Sequence, residues 1–270
     1  MTHYTECGRP FRFLLAAFLF TTSWGCSTTP LTPTSEPLRS PPQYRQPLVG
    51  AIRTIVIDAG HGGHDPGASH HGLREKHLAL DIARRLRTTL QDSGLTVVMT
   101  RETDQFIPLS GRPAVANRLG ADLFVSVHIN ANKSQRVSGA EVYYPRVSAV
   151  SQTAAWPPSV RSAEVGVPSW TVKQILWDLV LGGTRSQSRR LASTICGSMR
   201  QGLAVSCKTK PARFVVLREA WMPSVLVEVG YVSNATEAQR LNRLDYRVLA
   251  AESIAQGIVA YVRDAGAQHI

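Results

Sequence analysis

The amino-acid sequence predicts an α/β protein in which helices cover both faces of a central sheet. From residue 50 onward, apolar runs of strand length alternate with longer runs of helical periodicity, and this alternation is typical of an α/β sheet. A hydrophobic fraction of 43% is enough for one sizeable core. The predicted strands are 52–58, 95–100, 122–128, 139–144, 213–217 and 224–229. The predicted helices are 75–92, 108–119, 186–203, 235–242 and 245–263.

Residues 1–25 have the pattern of an export signal. Arg9 and Arg12 precede an apolar stretch that is too short to span a bilayer and that ends in small residues, FRFLLAAFLFTTSWG. Cys26 follows directly, so the segment resembles a bacterial lipoprotein signal, with cleavage before Cys26 and a lipid on its thiol. Ordinary signal cleavage is the alternative. Because Ser27 rather than Asp follows the cysteine, the resemblance implies a periplasmic protein anchored in the outer membrane.

Residues 26–49 are predicted to be a tether between this signal and a folded domain at 50–270. They are rich in Ser, Thr and Pro, and such a segment cannot bury enough apolar area to fold. In the folded domain only Cys196 and Cys207 remain. In an oxidising compartment they could form a disulfide, although Cys196 could also be a buried helix residue with no partner.

The charge balance favours anionic partners. Lys and Arg outnumber Asp and Glu by 30 to 19, a formal net charge of +11. The predicted signal holds two Arg and one Glu, so its removal leaves +10. Such a chain favours nucleic acid, an anionic membrane or a carboxylate-rich polymer, although solubility alone is an alternative reason. The sequence has no RNP pattern, zinc-finger spacing or Lys/Arg block, so we do not expect nucleic acid.

The first predicted strand runs into a glycine-rich loop that carries His61. In the stretch IVIDAGHGGHDPGA, the β-branched residues 55–57 end abruptly at this loop. A buried strand delivers a metal ligand to the end of a sheet in this way. The alternative is a strand-end histidine bonded to backbone. Three glycines around His61 would allow close backbone approach to a bound group, which favours the ligand interpretation.

Glu75 and His128 complete a candidate ligand set. Glu75 lies where a loop enters a helix, and its basic neighbours Arg74 and Lys76 make a solvated helix start the alternative. His128 ends the apolar run LFVSVHIN and could instead be a satisfied core histidine. Two histidines and one carboxylate form a three-ligand zinc set that leaves a fourth position for water. Other nearby histidines are weaker candidates: His64, His70, His71 and His77.

Glu228 is a charged residue inside an otherwise apolar predicted strand, SVLVEVGYVSN. A buried carboxylate without a partner is costly. It could form a structural ion pair with an arginine such as Arg112. The functional interpretation is a general base beside the metal.

Residues 146–187 interrupt the alternation. They contain Pro157, Pro158 and Pro168 and little periodicity before about residue 170. Because a plain loop is seldom this long, the segment is predicted to be a lid over the site or an insertion with its own helix.

Seven blocks in order now resemble the zinc-dependent N-acetylmuramoyl-L-alanine amidases of the amidase-3 type: GHGGHDPGA, Glu75-Lys76, TRETD, GRPAVAN, FVSVHIN, GAEVYY and VLVEVGYVSN. The resemblance spans residues 52–265 except much of 146–187. It implies a twisted, mostly parallel six-stranded sheet in a single domain. It also implies one zinc ion on His61, Glu75 and His128, with Glu228 as the catalytic glutamate. The implied substrate is peptidoglycan, cut between N-acetylmuramic acid and L-alanine of the stem peptide.

Some members of that family carry an inserted helix whose glutamate occupies the zinc site until a partner protein removes it. By this resemblance 146–187 would be the insertion and Glu164 the inhibitory ligand, with an activator protein acting on the segment. A surface glutamate on a loop is the alternative.

Two other functions stay open at this point. One is a non-catalytic murein-binding lipoprotein on an amidase fold, which intact ligands and an intact base argue against. The other is a different zinc hydrolase of the cell wall. The motif HExxH is absent from the sequence, which removes the commonest zinc peptidase arrangement.

Overall fold

The structure is a computed structural model that describes residues 52–146 and 170–267, with side chains for all of these except 170–182 and 267. The signal, the tether, Cys26 and Glu164 lie outside the described residues. In chain order the elements are β1 Thr54–Ala59, β2 Ser69–His70, β3 Leu73–Arg74, α1 Glu75–Asp92, β4 Thr96–Met99, α2 Gly111–Leu119, β5 Leu123–Asn130, β6 Ala140–Pro145, α3 Trp170–Leu203, β7 Cys207–Ala212, α4 Val215–Arg218, β8 Ser224–Tyr231, α5 Ala235–Asn242 and α6 Leu244–Ala267.

Six strands form the central sheet in the order β4-β1-β5-β8-β6-β7. The first four are parallel, whereas β6 is antiparallel to β8 and parallel to β7. The predicted mostly parallel six-stranded sheet is therefore confirmed. We call the end of the sheet where β1, β5 and β8 finish the upper end, and the opposite end, where β6 and β7 finish, the lower end.

Alternate residues of the central strands supply two apolar cores. Ile55 and Ile57 point to the face covered by α1, α3 and α6. Val56, between them, points to the other face, which α2 and α4 cover. Because a strand sends successive side chains to opposite faces, a continuous apolar run is what a sheet buried on both sides requires.

The predicted strand at 213–217 is wrong. The sixth strand is instead β7, whose sequence CKTKPA is polar because it lies at the sheet margin, where only one of its six residues is buried. The apolar run that follows forms the short helix α4, which buries Val216 and Leu217 against the second core. An exposed edge strand has only one covered face, so it carries little hydrophobic signal.

Helix α3 extends well beyond its predicted start and includes residues 170–187 of the predicted insertion. The C-terminal half of α3 packs on the sheet and on α6. Cys196 of α3 is disulfide-bonded to Cys207 at the start of β7, with the two Cα atoms 5.5 Å apart. Among the described helices, none is both long enough and apolar enough to cross a bilayer.

Candidate metal centre

Three side chains from separate elements meet at the upper end of the sheet. His61 follows β1, Glu75 begins α1 and His128 lies near the end of β5. Each offers one nitrogen or oxygen atom, and these atoms all lie within 4.8 Å of one another. In the described ranges this is the one group of three such residues close enough to share an ion. The structure therefore brings together the three residues that the sequence singled out.

The carboxylate of Glu75 links the two imidazoles. Its Oε2 lies 3.0 Å from Nε2 of His61, and its Oε1 lies 2.8 Å from Nδ1 of His128. Burial alone would raise the pKa of Glu75, but the hydrogen bonds to His128 and His61 outweigh it and hold this pKa below its ordinary value. Two imidazoles and an ionised carboxylate that face one another are the donor types that zinc takes. The residues present thus fit a divalent cation.

Glu75 is held by backbone as well as by the histidines. Its Oε2 accepts a hydrogen bond from the amide of Ala68 at 2.8 Å, and its Oε1 accepts one from the amide of Ile129 at 3.0 Å. Glu75 and Lys76 are both buried, so the alternative of a solvated helix start is wrong. The Nζ of Lys76 donates to the carbonyl of Gly63 and to Asp104, which ties α1 to the loop of His61.

His61 has a left-handed backbone, with φ of 57°, a conformation that is uncommon for residues with a side chain. Its Nδ1 lies 2.7 Å from Oδ2 of Asp65, which fixes the ring and directs Nε2 toward Glu75. Burial would lower the pKa of His61, but its contacts with Glu75 and Asp65 raise this pKa above its ordinary value. A hydrogen bond on one ring nitrogen orients the other for a ligand, as is usual at metal sites.

The glycines of the loop make room for protein groups. A Cβ on Gly60 would lie 2.3 Å from Cε1 of His128, and one on Gly67 would lie 2.5 Å from Oε2 of Glu75. Gly62 and Gly63 would meet Gln105 and Phe106. The sequence interpretation, in which glycines near His61 allow approach of a bound group, is therefore corrected: the close neighbours are the ligand side chains and the 105–106 backbone.

Two buried arginines below the loop were missed as site residues. Arg101 donates to the carbonyl oxygens of Ala59, Gly60 and Lys76. Arg112 donates to the carbonyls of Ala59 and His61 at 2.8 Å each. Together they hold the backbone that carries His61. The TRETD and GRPAVAN blocks contain these arginines, but local sequence does not reveal which carbonyls they bind.

Arg112 is also the partner of a buried carboxylate, and that carboxylate is not Glu228. Its Nη1 lies 3.0 Å from Oδ1 of Asp58, a residue with no exposed surface. Asp58 further accepts hydrogen bonds from Thr100 and Ser126 at 2.7 Å each. The alternative in which Arg112 neutralises Glu228 is therefore wrong.

Glu228 lies on β8 directly opposite His128 of β5 in the strand register. Its Oε2 is buried and has no hydrogen-bond partner among the described residues. Burial, followed by the charges of Glu75 and Glu141, raises the pKa of Glu228 well above its ordinary value. A buried carboxyl oxygen without a hydrogen-bond partner beside a ligand cluster is costly for folding, which points to a functional reason for its presence.

Glu141 is a second carboxyl near Glu228 that sequence reasoning missed. The two residues face each other across the antiparallel pair β6 and β8. Glu141 is bound by Lys210 of β7 and by the hydroxyl of Tyr143. Burial would raise the pKa of Glu141, but these partners lower it, so the pKa values of Glu141 and Glu228 shift in opposite directions. Glu141 belongs to the GAEVYY block, but its partner Lys210 lies in β7, a strand that the sequence prediction placed at 213–217 instead.

The other candidate histidines make different contacts. The ring of His64 lies against Phe106, with centroids 4.1 Å apart. Nε2 of His71 lies 3.4 Å from the carbonyl oxygen of Ser233. None of His64, His70, His71 and His77 belongs to the ligand cluster found in the described part of the chain.

Comparison with known proteins gives a consistent result. Residues 55–260 match the family model described as N-acetylmuramoyl-L-alanine amidase. The N-acetylmuramoyl-L-alanine amidase AmiA of Escherichia coli is 36% identical over 78% of this chain and 77% of its own length. For AmiC of Neisseria meningitidis the identity is 36%, over 82% of this chain and 55% of the relative.

Solved structures agree. The N-acetylmuramoyl-L-alanine amidase AmiC2 of Nostoc punctiforme is 32% identical and superposes with a TM-score of 0.61, over 79% of this chain and 99% of that one. The CwlD amidase of Clostridioides difficile, solved in complex with the GerS lipoprotein, is 25% identical with a TM-score of 0.61, over 78% and 99% of the two chains.

Proposed function

Because this chain belongs to the amidase-3 family of N-acetylmuramoyl-L-alanine amidases, we propose that His61, Glu75 and His128 hold one zinc ion and that Glu228 is the catalytic acid and base. The reaction is hydrolysis of peptidoglycan at the amide bond between N-acetylmuramic acid and L-alanine of the stem peptide. The observation that carries the assignment of the site is the convergence of these three donors beside Glu228, whose buried Oε2 has no hydrogen-bond partner among the described residues.

Zinc is the cation that suits the donor set. Two imidazole nitrogens and a carboxylate oxygen form the usual three-ligand arrangement of a catalytic zinc. When bound, the ion supplies Lewis acidity toward water and toward the amide oxygen. The remaining chemistry belongs to side chains. Asp65 orients His61, and the backbone amides of Ala68 and Ile129 orient Glu75.

Glu228 moves the proton. Its Oε2 accepts a proton from the attacking water and passes it to the nitrogen of the departing L-alanine. A general acid and base works best when its pKa lies near the working pH. Burial and the neighbouring charges of Glu75 and Glu141 shift the pKa of Glu228 upward, in the direction of neutral pH. Glu141 stays ionised through Lys210 and so maintains that repulsion.

The test is digestion of purified sacculi by the full chain and by the variant that lacks 150–168, with and without a chelator, followed by mass spectrometry of the released material. The proposal expects stem peptides with a free L-alanine amino end, and expects the chelated enzyme to release none until zinc is added back. Release of disaccharides, or of peptides cut within the stem, would contradict the assigned bond. Undiminished release in the presence of chelator would contradict the metal.

The N-terminal region would place this activity in the periplasm. Residues 1–25 act as a lipoprotein signal, the Cys26 thiol receives the lipid, and residues 26–49 tether the catalytic domain to the outer membrane. Mass spectrometry of the protein purified from membranes tests this directly. A diacylglyceryl group on Cys26 is expected. A chain that begins elsewhere and fractionates with soluble periplasmic proteins would contradict the anchor, while ordinary export would still hold.

The segment 146–187 is proposed to regulate access. Glu164 would occupy the metal site until an activator protein acts on the segment, and the complex of the CwlD amidase with the GerS lipoprotein shows that a related domain binds a partner protein. Deletion of 150–168 should raise the release of stem peptides from sacculi without any partner. Unchanged or lower activity of a folded deletion variant would count against autoinhibition.

A further inference from the structure

A second concave site lies at the lower end of the sheet. It has a volume of about 860 Å³, within the range typical of ligand pockets. Its walls come from the end of β6, the middle of α3 and the end of α6. The lining residues that matter here are basic or aromatic: Tyr144, Arg146, Arg185, Arg189, Arg190 and Tyr261.

This cavity is separate from the metal centre. Glu141 of β6 faces Glu228 near the upper end, and β6 then runs away from that position to Pro145 in the cavity wall. Four residues of extended strand span roughly 13 Å. A group bound in the cavity therefore cannot be the group attacked at the metal centre.

The charges around the cavity are unbalanced. Four arginines line it, and Asp264 is the one acidic residue in its wall. Arg190 lies over the ring of Tyr261, with its guanidinium carbon 5.9 Å from the ring centroid. Within the described residues, Arg146, Arg185 and Arg189 make no side-chain ion pair.

Two of these arginines also repel each other. Arg185 and Arg189 are four residues apart on α3, so their side chains lie on the same face of the helix. Like charges at this spacing destabilise a helix. An arrangement that costs stability and concentrates positive charge in a concavity suits a ligand that neutralises it.

We propose that this cavity binds the carboxylates of peptidoglycan stem peptides and so gives the enzyme a second contact with its polymer. The guanidinium fork matches a carboxylate with two parallel hydrogen bonds. The aromatic walls of Tyr144 and Tyr261 suit the backbone and side chains of a peptide. A second contact on the same polymer raises overall avidity without changing chemistry at the first. The inference rests on the proposed function, since the ligand is part of the proposed substrate.

The test compares two double charge reversals in the full mature chain. Arg185→Glu with Arg189→Glu changes the cavity and leaves the i, i+4 repulsion in place. Arg200→Glu with Lys208→Glu is the control, because both residues are exposed, lie outside the cavity and carry the same total charge. Binding to purified sacculi is measured by pelleting. We expect the cavity variant to bind roughly tenfold more weakly than wild type and the control to stay within about twofold.

Hydrolysis of a small soluble muramoyl peptide separates this inference from the proposed function. The cavity variant should keep its kcat on that substrate while it loses activity on sacculi. Failure of both the wild-type chain and a folded variant that lacks 150–168 to cut the soluble substrate would contradict the proposed function, whereas equal pelleting of the cavity and control variants would overturn the second site alone. The second site would also be overturned if the cavity variant lost binding to phosphatidylglycerol vesicles but bound sacculi as wild type does. The cavity would then be a contact with a membrane surface.

A third variant tests whether Arg185 and Arg189 serve only the stability of the fold. Arg185→Gln with Arg189→Gln removes the repulsion, so its melting temperature should equal or exceed that of wild type. Its binding to sacculi should nevertheless fall. A lower melting temperature without loss of binding would show that the arginines serve the fold and would overturn the proposal.

Discussion

The guanidinium of Arg112 lies 3.0 Å from the Oδ1 of Asp58 and donates at 2.8 Å to the carbonyl oxygen of His61. One buried ion pair thus underlies the backbone position of a proposed zinc ligand. Asp58 belongs to β1 and Arg112 to α2, so the pair also joins the sheet to a helix. A change at Asp58 should mainly lower the free energy of unfolding, whereas a change at Arg112 should mainly weaken zinc binding.

Asp58→Ala should destabilise the fold strongly. It leaves Arg112 buried without its carboxylate, and breaking a buried pair in this way costs about 3–5 kcal/mol. Urea denaturation measures the free energy of unfolding. Asp81→Ala is the matched control, because Asp81 also pairs with arginines but its side chain is 33% exposed, and it should lose about 1 kcal/mol or less. Equal losses in the two variants would contradict the importance given to the buried pair.

Arg112→Lys should weaken zinc binding more than it weakens the fold. Lysine keeps the positive charge beside Asp58 but cannot also reach the carbonyls of Ala59 and His61 with a rigid fork. Residues that orient a ligand typically contribute about 10- to 100-fold to metal affinity. Competition with a chromogenic chelator measures the dissociation constant. Arg118→Lys, an exposed change on the same helix, should leave it unaltered, and equal affinities in both variants would refute a positioning role.

Glu228→Gln should abolish most turnover and keep the metal. The amide has nearly the same shape as the carboxyl but cannot accept the proton of water, and loss of a general acid or base costs about 10²- to 10⁴-fold in rate. Metal content by plasma mass spectrometry, measured beside the rate on sacculi, separates the two roles. A variant purified without zinc would mean that Glu228 is a ligand, and a variant with wild-type turnover would mean that it is neither.

The contribution of Asp81 to the free energy of unfolding should depend on pH. Burial would raise the pKa of Asp81, but hydrogen bonds from Arg85 and Arg247 hold it below its ordinary value. Its contribution is therefore present above the unfolded pKa of about 3.9 and is lost as pH falls through the lower folded pKa. Asp81→Asn should be less stable than wild type at pH 7, and the difference should shrink below pH 3.5, roughly half a unit under that unfolded pKa. A difference that stays constant with pH would contradict the pairing.

The proposed ligands could be identified from sequence because each follows a local signal. His61 follows the apolar strand β1, His128 lies near the end of the apolar strand β5, and Glu75 starts a helix with a clear apolar face. Parallel strands finish at one end of a sheet, so residues far apart along the chain could be expected to meet. The alternation of apolar segments likewise predicted the sheet and its two helical layers.

The supporting residues could not be identified in this way. Asp58 and Arg112 are separated by more than fifty positions along the chain. No periodicity in the sequence indicates that these two buried charged residues form a pair. The edge strand β7 lacks apolar residues on its exposed positions, so the following apolar run was mistaken for it. Lys210, which pairs with Glu141, was missed for the same reason. Tertiary pairing, rather than local pattern, decides these contacts.

The most direct test is an anomalous difference map of the crystallised enzyme, collected at the zinc absorption edge. We predict one strong peak bonded to the imidazoles of His61 and His128 at about 2.0–2.1 Å and to the carboxylate of Glu75, with Glu228 close by and not bonded. If crystals of active enzyme held zinc on other residues, or showed no anomalous peak between the two imidazoles, the proposed metal site would be contradicted.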